Sequence, residues 1–203
     1  FYTTPGPLMA AVDTFHIDIK GVGGHAAYPH ETIDPIPASL SIAQGLATIV
    51  SRNHNPLDDL VVSVTMIHAG TADNVVPETA YLGGTVRTFD KAVQAMVMRR
   101  MEDIVSGQAS FGVQGTLRYE VGYPPTVNDP VATDFAVSVA QDIAGADGVD
   151  AAATPEMGAE DFAFFQEKRP GAYLFIGNGD TAGLHQPDYD FDDAAAPFGA
   201  SYF

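Results

Sequence analysis

The sequence has 203 residues, is 46% hydrophobic and contains no cysteine, so it is long enough for one large or two small domains and excludes a disulfide scaffold. Its 26 acidic and 9 basic residues give a formal net charge of -17, which argues against nucleic acid or an anionic membrane as partner. No apolar run approaches the roughly 18 residues of a membrane span, and we expect a cytoplasmic protein.

Residues 13–123 carry the patterns of six successive elements. Phe15, Ile17 and Ile19 alternate with polar residues, as in a half-buried strand, and apolar residues then recur at helical spacing. The predicted bounds are 13–20, 35–51, 60–69, 79–89, 90–110 and 115–122. Their order of strand, helix, strand, strand, helix, strand predicts a ferredoxin-like βαββαβ unit, an antiparallel sheet covered on one face by two helices.

Residues 124–203 show a different pattern. Pro124 and Pro125 stop the preceding strand, and Asn128 or Asp129 can cap the next helix. The predicted elements are a helix over 129–144, a short strand near 150–153, a helix opening at Glu160, a strand at 172–177 and a final helix opened by Ala194, Ala195 and Pro197. They form an incomplete mixed α/β layer, and we expect it to expose sheet edges and apolar helix faces.

The segment 21–30 is the most informative stretch of the chain. Its glycines let the backbone turn sharply directly after the first predicted strand. His25 then lies at a loop tip, where its imidazole is available for chemistry.

Seven segments in order carry a family resemblance. They are Pro-Gly-Pro-Leu-Met-Ala-Ala at 5–11, Gly-Gly-His-Ala-Ala at 23–27, Asp-Pro at 34–35, Asn-Val-Val-Pro at 74–77, Gly-Gly-Thr-Val-Arg at 83–87, Met-Gly-Ala-Glu-Asp-Phe at 157–162 and Leu-His-Gln-Pro-Asp-Tyr-Asp at 184–190. Together they resemble the metal-dependent amidohydrolases and peptidases that include aminoacylase, carboxypeptidase G, hippurate hydrolase and the auxin-conjugate (IAA-amino acid) hydrolases.

The resemblance implies a division of the chain into three parts. Residues 1–12 would end a catalytic-domain segment, 13–123 would form a dimerisation or lid domain, and 124–203 would be a truncated C-terminal part of the catalytic domain. The family's His-x-Cys-Gly-His-Asp and Glu-Glu motifs are missing from the sequence. We therefore expect this chain to be the C-terminal portion of a longer enzyme, inactive without the upstream segment.

The resemblance also assigns two histidines. His185 would bind one of two divalent metal ions in the complete enzyme, either zinc or manganese, cobalt or nickel, since a neutral imidazole suits all four. One histidine cannot make a site, because a catalytic zinc needs about three protein ligands. His25 would reach into the partner subunit's active site and stabilise the oxyanion of the tetrahedral intermediate. The alternative for each is an ordinary surface-loop histidine.

Three further residues are candidates for substrate binding. Asn74 and Arg87 would share a substrate-binding side, where the planar guanidinium suits the carboxylate of an N-acyl amino acid; the alternative for Arg87 is a surface ion pair. Glu160 would line the site, although acidic residues at a helix start are also expected from capping and the helix dipole. The family's general base lies upstream, so Glu160 is not given that role.

The resemblance implies metal-dependent hydrolysis of the amide bond of N-acyl amino acids or similar small conjugates, by a homodimer formed through residues 13–123. An inactive dimerisation fragment is one alternative, and metal analysis distinguishes it from the enzyme. A ferredoxin-like regulatory module that binds a small molecule is another, but it leaves the loop around His185 unexplained.

Overall fold

The computed structural model describes all 203 residues, Phe1–Phe203. The strands are β1 Gly6–Met9, β2 Ala11–Lys20, β3 Gly24–His25, β4 Leu60–Ala69, β5 Val75–Val76, β6 Thr79–Thr88, β7 Gln114–Val121 and β8 Thr126–Asn128. The helices are α1 Pro35–Thr48, α2 Lys91–Gly107, α3 Pro130–Ala144, α4 Ala163–Gln166 and α5 Ala196–Tyr202. None of them combines the length and apolarity needed to cross a bilayer. The chain forms two compact units, residues 11–123 and residues 1–10 with 124–203.

The unit of residues 11–123 is a four-stranded antiparallel sheet in the order β4-β6-β2-β7. With α1 and α2 in the two crossovers, the chain order is βαββαβ, which confirms the predicted ferredoxin-like fold class. Both helices pack on one face, because Phe15, Ile17 and Ile19 join Leu82 and α-helical side chains in a single buried core. The other face of the sheet carries no helix and is largely polar.

Local signals explain where the two helices begin. Asp34 accepts a hydrogen bond from the Ile36 amide at 2.9 Å and Pro35 occupies the first turn of α1, so the Asp-Pro pair caps that helix. Asp90 accepts hydrogen bonds from the Ala92 and Val93 amides and caps α2 in the same way.

A buried carboxylate ties the two ends of this unit together. Asp13 is 1% exposed and accepts hydrogen bonds from Gln94 of α2 at 2.7 Å, from the Tyr119 hydroxyl at 2.7 Å and from the Gly122 amide at 3.2 Å. Burial raises the pKa of the Tyr119 phenol, and its hydrogen bond to Asp13 raises that pKa further. The alternating pattern of β2 gives no warning of this polar residue within the core.

The second unit is organised around the short antiparallel ribbon of β1 and β8. Asn128, at the end of β8, is buried and its side chain bonds five partners: Thr3, the Thr4 carbonyl, both backbone groups of Tyr173, and Gln166. Asp129, not Asn128, caps α3 through the Ala132 amide. A single buried amide therefore connects three separate segments of this unit.

Three predicted elements of this unit differ in the structure. The stretches 150–153 and 172–177 make only single bridges to Tyr2 and a few backbone hydrogen bonds to residues 1–3, because a strand needs a partner along its whole length and this partner segment is short. The predicted helix at Glu160 begins only at Ala163 and has four residues, because turns occupy the preceding positions. As expected, helix α3 exposes large apolar side chains, with Phe135 72% exposed.

Candidate functional site

The loops that carry His25 and Asn74 are paired with each other. Strand β3 pairs antiparallel with β5, with Gly24 opposite Val76 and His25 opposite Val75. The Ala26 amide continues the ladder by donating to the Asn74 carbonyl at 3.0 Å. Two residues almost fifty positions apart in sequence are thus fixed side by side beyond the same end of the large sheet.

Glycines make this close approach possible. A Cβ at Gly21 would lie 2.0 Å from the Ile33 carbonyl oxygen, and one at Gly23 would lie 3.0 Å from backbone atoms of Val76 and Glu78. The loop is closed at its base by a reciprocal pair of backbone hydrogen bonds between Val22 and Ile33, both 2.9 Å. Larger residues would push the His25 loop away from the Asn74 loop.

The His25 imidazole is exposed, and one of its nitrogens is already engaged. The Ala27 amide donates to Nδ1 at 3.1 Å, so Nδ1 is an acceptor and the proton of the neutral ring lies on Nε2. The Tyr28 ring contacts the imidazole edge-on, with ring centroids 5.5 Å apart. The arrangement presents an outward N–H donor, which is what stabilisation of an oxyanion requires.

The structure does not bring Arg87 to this place. Arg87 lies near the end of β6, half-buried on the helix-free face, and pairs with Val12 and Val61. Strand β6 has 10 residues, which at about 3.3 Å per residue span about 30 Å. The Asn74 loop enters the opposite end of this strand. Within one chain, Asn74 and Arg87 therefore cannot contact one small substrate, so a shared substrate-binding side stays a prediction that requires a second copy of the chain.

His185 lies in a loop whose backbone is unusual. Its φ is 65°, and it is the one non-glycine residue of the chain with a positive φ. Asn178 and Thr181 close the loop by hydrogen bonds to the Asp190 carbonyl at 2.8 and 3.2 Å. Such a conformation is uncommon for a residue with a Cβ, less so for His, Asn and Asp, and strained residues cluster at functional sites.

Glu160 lies half-buried just before α4, in the unit of residues 1–10 and 124–203 that also contains His185. Its side chain accepts a hydrogen bond from the Asp161 amide at 3.1 Å and a long one from the Tyr173 hydroxyl at 3.5 Å. Burial raises the pKa of the Tyr173 phenol, and the nearby Glu160 carboxylate raises it further. Glu160 thus contacts a phenol that remains a hydrogen-bond donor across the physiological range.

The chain by itself does not supply a complete metal site. No group of three or more His, Cys, Asp or Glu side chains is placed to hold an ion. A catalytic zinc needs about three protein ligands, and His185 would be at most one of them.

Sequence reasoning missed a cluster on the helix-free face of the sheet. The Tyr81 hydroxyl lies 2.6 Å from His16 Nδ1, and the Tyr81 ring also stacks with His68, with centroids 5.9 Å apart. The sequence places His16 on the polar face of a strand and His68 near a strand end. The irregularity of β4 between Val64 and Met66, beyond which His68 lies opposite Tyr81, leaves no local pattern.

The chain is similar in sequence to known proteins. Residues 12–112 match the family model M20_dimer, the peptidase dimerisation domain. The N-acetylcysteine deacetylase of Bacillus subtilis is 41% identical over 199 residues, which is 98% of this chain and 52% of that protein. The IAA-amino acid hydrolase ILR1-like 4 of Arabidopsis thaliana is 35% identical over 206 residues, covering 97% of this chain and 47% of that protein.

A solved structure shows the same likeness. The crystal structure of a dinuclear metal-binding peptidase of the M20 family from Bacillus subtilis superposes with a TM-score of 0.71 at 34% identity, covering 98% of this chain and 49% of that chain. The present chain spans about half the length of the curated relatives it matches.

Proposed function

Because the chain belongs to the M20 family of amidohydrolases and peptidases, we propose that it is part of a metal-dependent enzyme that hydrolyses the amide bond of N-acyl amino acids or similar small conjugates. In this proposal residues 13–123 are the dimerisation and lid domain. Residues 1–12 and 124–203 belong to the catalytic domain.

The observation that carries the proposal is the pairing of the His25 and Asn74 loops. The ladder between β3 and β5 holds an exposed imidazole whose Nδ1 is occupied, which leaves Nε2–H as the donor. Water attack on an amide carbon generates a negatively charged oxygen, and a fixed donor at hydrogen-bond distance from that oxygen accelerates the reaction roughly 10²- to 10³-fold. His25 serves as this donor.

The length of the sheet supports action of His25 in the partner subunit. Arg87 and the paired loops lie at opposite ends of β6, about 30 Å apart. A substrate bound near Arg87 can reach a His25 only if that histidine comes from a second copy of the chain. Arg87 then binds the substrate carboxylate by donating hydrogen bonds from its planar guanidinium. The partner's copy of the β3–β5 ladder supplies His25 together with Asn74.

His185 contributes one ligand to the metal centre, and residues outside these 203 complete it. Two divalent ions, zinc or manganese, cobalt or nickel, would polarise the substrate carbonyl and lower the pKa of a bound water. The positive φ of His185 supports this role, since backbone strain of this kind is retained where it positions a functional side chain. Glu160 lines the substrate pocket with the Tyr173 hydroxyl.

The test replaces His25 in the complete enzyme. His25→Ala should lower kcat roughly 10²-fold or more with metal content unchanged, because it removes a donor used in the transition state. His30→Ala is the matched control, since His30 lies in the same loop, is exposed and pairs with Glu31 at 3.9 Å. A His25→Ala enzyme with kcat within a factor of about two of wild type would contradict the role.

Complementation then tests the partner relationship. Mixing His25→Ala subunits with subunits that lack a metal ligand should restore activity, because each mixed dimer holds one site with an intact metal centre and a partner's His25. If subunit exchange is demonstrated and no activity returns, His25 does not act across the dimer.

A second candidate is a dimerisation module without catalysis. The absence of a three-ligand cluster from this chain favours it for the 203 residues taken alone. Metal analysis of the purified protein decides between the two: about two ions per complete subunit support the enzyme, and a metal-free protein without amidohydrolase activity supports the module.

A further inference from the structure

The helix-free face of the large sheet holds a cavity of about 630 Å³ at the end from which the His25 and Asn74 loops depart. Its walls come from the ends of all four long strands and combine apolar surface with polar and charged side chains. They include Asp18, Lys20, His68, Tyr81, Gln114 and Thr116. This volume lies in the range of small-molecule sites in proteins.

One wall of this cavity is preorganised. Tyr81 lies across the position of Gly83, where a Cβ would be only 2.6 Å from both the Tyr81 hydroxyl oxygen and the Met66 methyl carbon. The missing side chain at Gly83 lets the phenol reach His16 Nδ1 at 2.6 Å, while His68 stacks on the phenol ring. The wall is therefore fixed by contacts within the sheet before any ligand binds.

The cavity presents two opposite charges at a defined spacing. Asp18 and Lys20 are two residues apart on β2, so both point to the same face and lie about 7 Å apart. Their present partners are Arg118 at 3.2 Å and Glu78 at 3.8 Å, and all four side chains are more than half exposed. Exposed pairs of this kind contribute little, so either charge can engage a ligand instead.

From this arrangement we infer that the cavity binds a zwitterionic α-amino-acid head group. The Lys20 ammonium pairs with the ligand carboxylate and the Asp18 carboxylate with the ligand ammonium. Gln114 and Thr116 supply neutral hydrogen bonds. The head group has two sources: a free amino acid, which is one product of the proposed hydrolysis, or the far end of a substrate side chain. This choice of sources rests on the proposed function.

Calorimetric titration with glycine tests the site on the purified protein. Glycine should bind at least about tenfold more tightly than acetate or methylammonium, each of which offers only one of the two charges. Lys20→Gln and Asp18→Asn should each weaken glycine binding about tenfold. Lys168→Gln, an exposed lysine outside the cavity, should leave it unchanged. Glycine should also shift the NMR signals of the His68 ring, which ties the binding to this cavity.

Two results would overturn the inference. One is glycine binding no tighter than acetate binding. The other is glycine binding that survives both Lys20→Gln and Asp18→Asn in folded protein, as judged by circular dichroism. Thr116→Val is a third variant for the case that either charge change unfolds the sheet. It keeps the side-chain shape and removes the hydroxyl, so it should weaken glycine binding.

Kinetics of the complete enzyme distinguish the two sources. Two substrates are compared: N-acetylalanine, and an N-acetylated substrate that carries a second amino-acid head group on its side chain. If the head group belongs to the substrate, Lys20→Gln should lower kcat/KM about tenfold more for the second substrate than for N-acetylalanine. If it is a free amino acid, kcat/KM for the two substrates should change equally while glycine binding is lost. An enzyme that hydrolyses neither substrate refutes the proposed function, yet the glycine titration still decides the site.

Discussion

At the scale of single residues, His185 gives the sharpest link between backbone geometry and chemistry. A φ of 65° is uncommon for a residue with a Cβ, and the loop closed by Asn178 and Thr181 maintains it. If the side chain binds metal, His185→Ala in the complete enzyme should lose one ion and nearly all activity, because a ligand is removed. His185→Gly keeps the backbone conformation and should lose metal equally, which separates ligation from loop geometry. Unchanged metal stoichiometry in both variants would exclude His185 as a ligand.

Asn128 connects three segments of the second unit, residues 1–10 with 124–203. Its amide bonds groups on all three, and its removal takes away the acceptor of the part-buried Tyr173 amide, while the Tyr173 carbonyl keeps the Thr3 hydroxyl as a donor. We expect Asn128→Ala to lower the free energy of unfolding by about 2–4 kcal/mol. Asn55→Ala, in an exposed turn, should change it by less than about 0.5 kcal/mol. Urea titration of both variants measures the difference, and equal effects would contradict the role given to Asn128.

These residues show what a sequence can and cannot reveal about a site. Glycines before His25 and the turn at Asn74 are local signals, so both loops could be identified, but their pairing depends on the fold. Family motifs place Arg87 and Asn74 on one substrate-binding side, whereas the length of β6 separates them within one chain. The contacts of Asn128 span more than 120 residues and leave no local pattern.

At the scale of elements, two glycines provide a matched experiment. A Cβ at Gly84 would lie 2.0 Å from the Ser63 carbonyl oxygen and 2.5 Å from the Phe15 ring, so Gly84→Ala should separate β4 from β6 and cost about 2 kcal/mol or more. Gly107 has helical φ and ψ and open space around it, so Gly107→Ala should stabilise by about 0.5–1 kcal/mol. Thermal unfolding measures both, and the same sign for the two changes would refute the argument.

The elements of the large sheet could be predicted because their signals are local. Period-two alternation and Asp caps lie within each segment, and the observed bounds differ from the predicted ones by at most a few residues. The predicted strands of the smaller unit failed for the opposite reason. The stretch 172–177 is a run of apolar residues in the sequence, but a strand exists only where a neighbour can accept and donate hydrogen bonds along its length.

At the scale of the whole molecule, the edge strand β4 is the surface on which we expect two copies to meet. Met66 and Ile67 are 38% and 47% exposed on this edge, and an apolar open edge invites pairing. Sedimentation should show a dimer at micromolar concentration. Ile67→Lys should dissociate it, whereas Val121→Lys, on the opposite edge strand β7, should not. A monomer for the unmodified protein, or the reverse ranking of the two variants, would contradict this surface.

The strand ends at Val12 and Tyr123 carry a consequence for the gene. The Val12 amide donates to the Tyr123 carbonyl at 3.1 Å, and the Gly122 amide donates to the Val12 carbonyl at 3.1 Å. Residues encoded more than a hundred codons apart are thus neighbours in the folded chain. Recombination that removed or exchanged everything between them would leave two chain ends close enough to rejoin with a few residues. The stretch can therefore be gained, lost or replaced as one unit during evolution.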